Sequence, residues 1–289
     1  MNELDDEEVL PVPVKPRRTR RQKMFAVLPT LLTLGNVAFG FGSITFASKL
    51  NGGPTDPDNL FVAGLLIFVA MVFDMLDGSA ARLAKNTSDF GAELDSLCDA
   101  VSFGVAPAFI LIKFSTPFHG RMLWAIAVLY VMCAVLRLAR FNVETGEEDT
   151  HESFSGLPSP AAAGTVAAFA VAYPEFLERI AEWQSSALES VRPDLDTVAR
   201  MGLSFITLAA GCLMVSRIRY PHVFNQLFRG RQNYHHMLQL IFTIAAVFVV
   251  REMAVPLIFC AFAFGAPLRA LWSQIANRSW KKSSTPAGG

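Results

Sequence analysis

Long apolar blocks recur along this chain, and their length constrains the fold more than any other feature. Eight blocks stand out, at roughly 25–48, 60–83, 92–114, 121–142, 158–178, 198–218, 235–251 and 254–275. Each holds about 17–24 residues, enough for a helix to cross a hydrocarbon core of about 30 Å. A segment in lipid must satisfy its backbone N–H and C=O groups internally, so such blocks fold as helices. Composition agrees. The 289 residues are 52% hydrophobic and 17% charged, with 24 Phe, whereas a soluble domain carries about 25% charged residues. The fold class read from this is an all-α membrane protein, a bundle of about eight transmembrane helices. Only Arg251, Glu252 and Met253 separate the last two blocks, so one long, kinked or re-entrant element is the alternative there. Pro174, Pro256 and Pro267 stand near block ends or where they could kink a helix.

The remaining composition is less informative. Net charge is zero, so total charge points to no partner and implies no nucleic acid. Cys98, Cys133, Cys212 and Cys260 lie in apolar stretches without a CxxC pair, and read as buried small hydrophobes. Residues 1–23 run from acidic "NELDDEE" to basic "PVPVKPRRTRRQK". That pattern predicts a disordered tail, not a secretory signal.

Basic residues in short loops predict orientation. The N-terminal flank carries Lys15, Arg17, Arg18, Arg20, Arg21 and Lys23, while the first loop, "NGGPTDPDN", has no Lys or Arg. Basic loops then alternate with poor ones: Arg82 and Lys85; Arg137 and Arg140; Arg217, Arg219, Arg229 and Arg231; and finally Arg278, Lys281 and Lys282. Eight spans with both termini cytoplasmic satisfy this alternation. The basic runs themselves are explained by orientation and attraction to anionic lipid.

One stretch breaks the apolar pattern. "DMLDGSAARLAKNTSDFGAELDSLCDA" sets Asp74, Asp77, Asp89, Glu93, Asp95 and Asp99 between two greasy blocks. Asp74 and Asp77 are three apart and share one helix face. Gly91, Asp95 and Asp99 are spaced by four and share a face of the next helix. If the two helices are antiparallel neighbours, four carboxylates converge in one pocket. Acidic groups in a span are costly and normally have partners or a function. Together they repel unless cations lie among them, and an oxygen-only ligand set favours Mg²⁺, Mn²⁺ or Ca²⁺. Charge balance suggests two divalent ions, a centre of the kind that clamps phosphate oxygens. Gly78, Ser79, Ala80 and Ala81 leave room for a ligand, and Arg82, about two turns beyond Asp74, offers a planar fork to phosphate. Asp89 and Glu93 read as ordinary solvated acids.

Asp74, Asp77, Gly78, Ala81, Arg82, Gly91, Asp95 and Asp99 stand at the spacing D-x2-D-G-x2-A-R-x8-G-x3-D-x3-D. This resembles, at every fixed position, the signature of the CDP-alcohol phosphatidyltransferase family. The likeness covers roughly residues 25–220. The flanking text "LPTLLTLGNVAFGFGSI", "LDSLCDAVSFGVAPA", "LRLARFNV" and "FSGLPSPAAAG" is similar to that of the serine-accepting bacterial branch. Thr30 departs from that branch, which usually has Asn after the Pro.

The resemblance implies a six-helix catalytic core at residues 24–220, followed by C-terminal helices at 221–277 and cytoplasmic tails at 1–23 and 278–289. It implies a bacterial inner-membrane transferase that takes CDP-diacylglycerol and L-serine, releases CMP, and works as a homodimer among membrane lipids. Asp74, Asp77, Asp95 and Asp99 would ligate Mg²⁺ or Mn²⁺. Gly78, Arg82 and Ser88 would contact the CDP moiety, and Asp99 would be the catalytic proton acceptor. Thr33, Asn36, Ser102, Arg137 and Arg140 are further candidates for nucleotide or acceptor contacts, each with a packing or snorkelling alternative. "GLPSPAAAG" reads as close helix packing. His235 and His236 are adjacent, so they face different ways and make a poor metal pair.

Two rival functions remain at this point. A sister transferase would use glycerol 3-phosphate or inositol phosphate. "VSFGVAPA" after Asp99 has no Lys or Arg, which argues against a phosphorylated acceptor. A cation transporter would place its acids nearer mid-membrane and show repeats, and no inverted repeat is evident.

Overall fold

The computed structural model describes residues 20–50, 57–84, 89–115, 120–144, 153–182, 192–221, 258–265 and 267. They form a helix bundle. Helix α1 spans Arg20–Ser48, α2 Pro57–Ala84, α3 Asp89–Asp99, α4 Ala106–Phe114, α5 Gly120–Glu144, α6 Ser159–Glu182 and α7 Arg192–Val215. The first six apolar blocks thus match helices. The third is not a uniform helix, because a π-helical turn over Ala100–Val105 joins α3 to α4. The seventh block, 235–251, lies outside the described residues, and of the eighth only 258–265 and 267 are described, as helix.

Five stretches are long and apolar enough to cross a membrane: Leu28–Ser48, Pro57–Ala80, Phe90–Phe114, Gly120–Val143 and Thr197–Val215. The protein is a membrane protein. Leu31, Phe41, Trp124, Met132 and Phe205 are exposed along these helices, as lipid-facing positions should be. Helix α6 is not among the five, though the sequence reading made 158–178 a span. Its position explains why. It packs against α2, α4, α5, α7 and the π turn, with Ala162, Ala163, Ala167, Ala168 and Ala170 buried. A helix enclosed by others needs small residues for close approach, not greasy ones for lipid.

The entry to α6 is pinned by backbone. Strand β1, Ser153–Ser155, pairs antiparallel with β2, Arg219–Pro221, in the register Phe154↔Tyr220. The Gly156 and Leu157 N–H groups then donate to the carbonyls of Ile218 and Leu213 at 2.9 and 3.0 Å. Gly156 has φ +86° and lies against the Met214 carbonyl, so only glycine fits without strain. "FSGLPSP" therefore ties the start of α6 to the end of α7. Run 258–265 packs outside α2 and α6, with the Phe259 ring 5.4 Å from that of Phe68.

Candidate active site

Asp74 and Asp77 lie near the end of α2, and Asp95 and Asp99 on α3. Each of Asp74, Asp95 and Asp99 brings a carboxylate oxygen within 4.8 Å of the others. Asp77 stands outside that tight group but interacts electrostatically with all three. Asp77 and Asp99 are buried, and Asp74 and Asp95 are half-buried.

The site differs from a simple two-helix pocket. Among the described residues, α2 and α3 hardly touch, whereas α1 packs against both and against the π turn. Helix α1 is thus a third wall, and it brings polar side chains. The Thr33 hydroxyl donates to the Pro29 carbonyl at 3.0 Å and sits beside the Asp77 carboxylate. The Asn36 amide donates from Nδ2 to Asp99 Oδ1 at 2.8 Å. Helix α1 thus packs against both acid-bearing helices and lines the site.

The donor chemistry fits a divalent cation. Asp77 Oδ2 and Asp95 Oδ1 are buried without a hydrogen-bond partner among the described residues. Ionised carboxylate oxygens only accept, and a buried unpaired charge is strongly unfavourable. Hard oxygens clustered this closely suit Mg²⁺, Mn²⁺ or Ca²⁺. Asp74, Asp95 and Asp99 could hold a metal ion.

The other candidates distribute unevenly. Gly78 is half-buried on α2, directly after Asp77. Arg82 is placed on the last turn of α2 by its backbone only, and Ser88 lies outside the described residues. Arg137 on α5 is half-buried and interacts electrostatically with Asp99. Its Nη1 donates to Ser159 Oγ at 3.2 Å, and its Nε is buried without a hydrogen-bond partner among the described residues. Arg140 is exposed. Ser102 is fully buried and donates to the Asn36 backbone carbonyl at 3.0 Å. Thr33 and Asn36 share one α1 face, and that i,i+3 spacing was the legible signal of a wall there. Ser159 carried no such signal. It meets Arg137 only because α6 starts beside α5.

Fold and site together define a class: an all-helical membrane protein with a buried carboxylate centre suited to a divalent cation and, through it, to phosphate chemistry. A family model described as CDP-alcohol phosphatidyltransferase matches residues 26–191, more than half of the chain, and the chain belongs to that family. It is 36% identical over 198 residues to the CDP-diacylglycerol–serine O-phosphatidyltransferase of Helicobacter pylori, covering 68% of this chain and 72% of the relative. It is 33% identical over 201 residues to the archaetidylserine synthase of Methanothermobacter thermautotrophicus, covering 69% and 71%. It is also 41% identical over 155 residues to the CDP-diacylglycerol–serine O-phosphatidyltransferase of Mycobacterium leprae, covering 52% of this chain and 48% of that one.

Proposed function

We propose that this protein transfers the phosphatidyl group of CDP-diacylglycerol to the hydroxyl of L-serine and releases CMP. One observation carries the proposal. The signature carboxylates Asp74, Asp95 and Asp99 converge within 4.8 Å, in a chain about a third identical, over two thirds of its length, to serine-using relatives.

The serine hydroxyl oxygen attacks the β-phosphorus that bears the diacylglycerol. The bond from that phosphorus to the bridging oxygen breaks, and its electron pair leaves with CMP. The hydroxyl proton passes to Asp99 as the new P–O bond forms, because a neutral hydroxyl is a weak nucleophile until a base takes its proton. The displacement is in line and forms no phosphatidyl-enzyme. Two divalent cations, Mg²⁺ or Mn²⁺, held by Asp74, Asp77, Asp95 and Asp99 would neutralise charge on the pyrophosphate and on departing CMP. Gly78 leaves room for the CDP moiety, which Arg82 and Ser88 also contact. Arg137, which interacts electrostatically with Asp99 and whose Nε has no hydrogen-bond partner among the described residues, binds the serine carboxylate, and Arg140 adds positive charge at the mouth.

The site lies at the cytoplasmic end of the bundle. Both termini are cytoplasmic, the membrane is the bacterial inner membrane, and two C-terminal helices follow a core at 24–220. Loop charge supports the orientation, and the family match at 26–191 falls inside that core. Acyl chains enter sideways between helices, while serine and CMP exchange with the cytosol. The working unit is a homodimer.

The test is purified protein with CDP-diacylglycerol and Mn²⁺ or Mg²⁺, given serine, glycerol 3-phosphate or inositol phosphate in turn. Phosphatidylserine from serine alone is the expected result. Product from a different acceptor overturns the assignment of serine, and labelled phosphatidyl trapped on the protein without serine overturns the direct displacement.

A further inference from the structure

Asn36 is fully buried on α1, and its amide nitrogen reaches Asp99 Oδ1 at 2.8 Å. The flipped amide would set oxygen against carboxylate, so the nitrogen faces Asp99. The Asn36 Oδ1 is buried with no hydrogen-bond partner among the described residues. An orphaned amide oxygen destabilises the fold, and leucine, of similar size, would fill the space without that penalty. Packing therefore does not explain the residue, whereas the bond to Asp99 does.

The surroundings hold Asn36 in place. Ser102 Oγ donates to its backbone carbonyl at 3.0 Å. Gly40, one turn further along α1, leaves the gap that Ser102 enters, since a Cβ there would lie 2.7 Å from Ser102 Cα. Ser102 belongs to the π turn that begins directly after Asp99, and such turns are frequent at functional sites. From the opposite side, the Tyr130 hydroxyl on α5 donates to the Phe103 carbonyl of the same turn at 3.1 Å. Asn36 and Gly40 on one helix thus mesh with Asp99 and Ser102 on the next.

We propose that Asn36 is a positioning residue for Asp99. It holds Oδ1 so that the other carboxylate oxygen faces the acceptor hydroxyl, and Ser102, seated over Gly40, fixes Asn36 in turn. Asn36 touches neither substrate and acts through Asp99. This rests on the serine-transferase reading above.

The experiment measures kcat and KM for both substrates in wild type, Asn36→Leu, Ser102→Ala, the double variant and Ser43→Ala. Asn36→Leu lowers kcat about 10- to 100-fold, the usual effect of losing a group that orients a site residue. Its KM values stay within about twofold of wild type. Ser102→Ala gives a smaller loss in kcat, and the double variant is no slower than Asn36→Leu, because both act along one chain of contacts. Ser43 is also buried on α1 and donates to the Ala63 carbonyl at 2.8 Å. Its replacement by Ala leaves kcat within about twofold, which separates the Asp99 effect from general loss of α1 packing. An Asn36→Leu protein with near-normal kcat, or a loss confined to KM, overturns the proposal. If that variant does not fold, unchanged kcat in Ser102→Ala overturns it instead. Wild-type protein that makes no phosphatidylserine sinks the functional reading and is thereby distinguished from these outcomes.

Discussion

The bundle buries charge at both of its ends, and the two ends treat it differently. At one end, Arg200 on α7 is 3% exposed. Its Nη1 donates to the Phe114 carbonyl at 3.1 Å, its guanidinium lies 5.0 Å over the Phe114 ring, and its own carbonyl accepts the Ser115 hydroxyl at 2.8 Å. It caps the carbonyl end of α4, where a helix has acceptors to spare and favours a cation. At the other end, roughly 20 Å away along the α3–α4 span at about 1.5 Å per residue, carboxylates crowd together. There Asp77 Oδ2 and Asp95 Oδ1 find no hydrogen-bond donor among the described residues. The contrast teaches how to tell a structural buried charge from a functional one. The structural charge is a lone cation set against a backbone carbonyl and an aromatic ring. The functional cluster gathers like charges against one another, a group that could hold a divalent cation.

If that contrast is right, perturbing the two ends has different consequences. Chelation gives the largest effect. EDTA should abolish phosphatidylserine formation, and added Mn²⁺ or Mg²⁺ should restore it, whereas turnover that survives thorough chelation would remove the metal centre. Asp99→Asn comes next, with kcat falling about 10²- to 10⁴-fold, the usual contribution of a general base. Near-normal kcat in that variant would remove Asp99 as the proton acceptor. At the opposite end, Arg200→Met should lower thermal stability in detergent by about 1–3 kcal/mol, the range for leaving a buried polar group unpaired. Specific activity per folded molecule should stay near that of wild type. A selective loss of kcat there would erase the distinction between the ends. Asp95→Asn should act in the reverse sense, making the metal-free protein more stable by about 1 kcal/mol as like-charge repulsion falls. Thermal melts in EDTA read this directly, and a lower melting temperature would show that the cluster does not strain the fold. The smallest effect belongs to Thr33→Val. Loss of one neutral hydroxyl beside Asp77 should reduce activity about threefold to tenfold, the equivalent of one net hydrogen bond. No change in rate would mean that Thr33 serves only its own helix.

Much of the site was legible because it is local. Asp74 and Asp77 on one helix face, and Asp95 and Asp99 on another, follow from the pitch of an α-helix. The convergence of α2 and α3 acids was also anticipated, but as contact between two adjacent helices. The structure adds α1, packed against both, as a third wall. Thr33 and Asn36 were visible as a polar face, read as candidates for nucleotide or acceptor contacts. Their targets, Asp77 and Asp99, lie 44 and 63 residues away, and no local pattern encodes such a distance. Helix α6 shows the opposite case. Its length and position were readable, but the block was read as a membrane span, whereas its small residues pack it among other helices.

From residues in order come the features that depend on nearest neighbours: six helical blocks, the membrane as solvent, and which acids share a face. Those follow from backbone pitch and from the cost of unpaired peptide groups in hydrocarbon. Only tertiary packing decided which helix walls the acids, that a π turn follows Asp99, and that Asn36 reaches its carboxylate. Each depends on the rotation and tilt of several helices against one another, set by side-chain fit summed over the whole bundle.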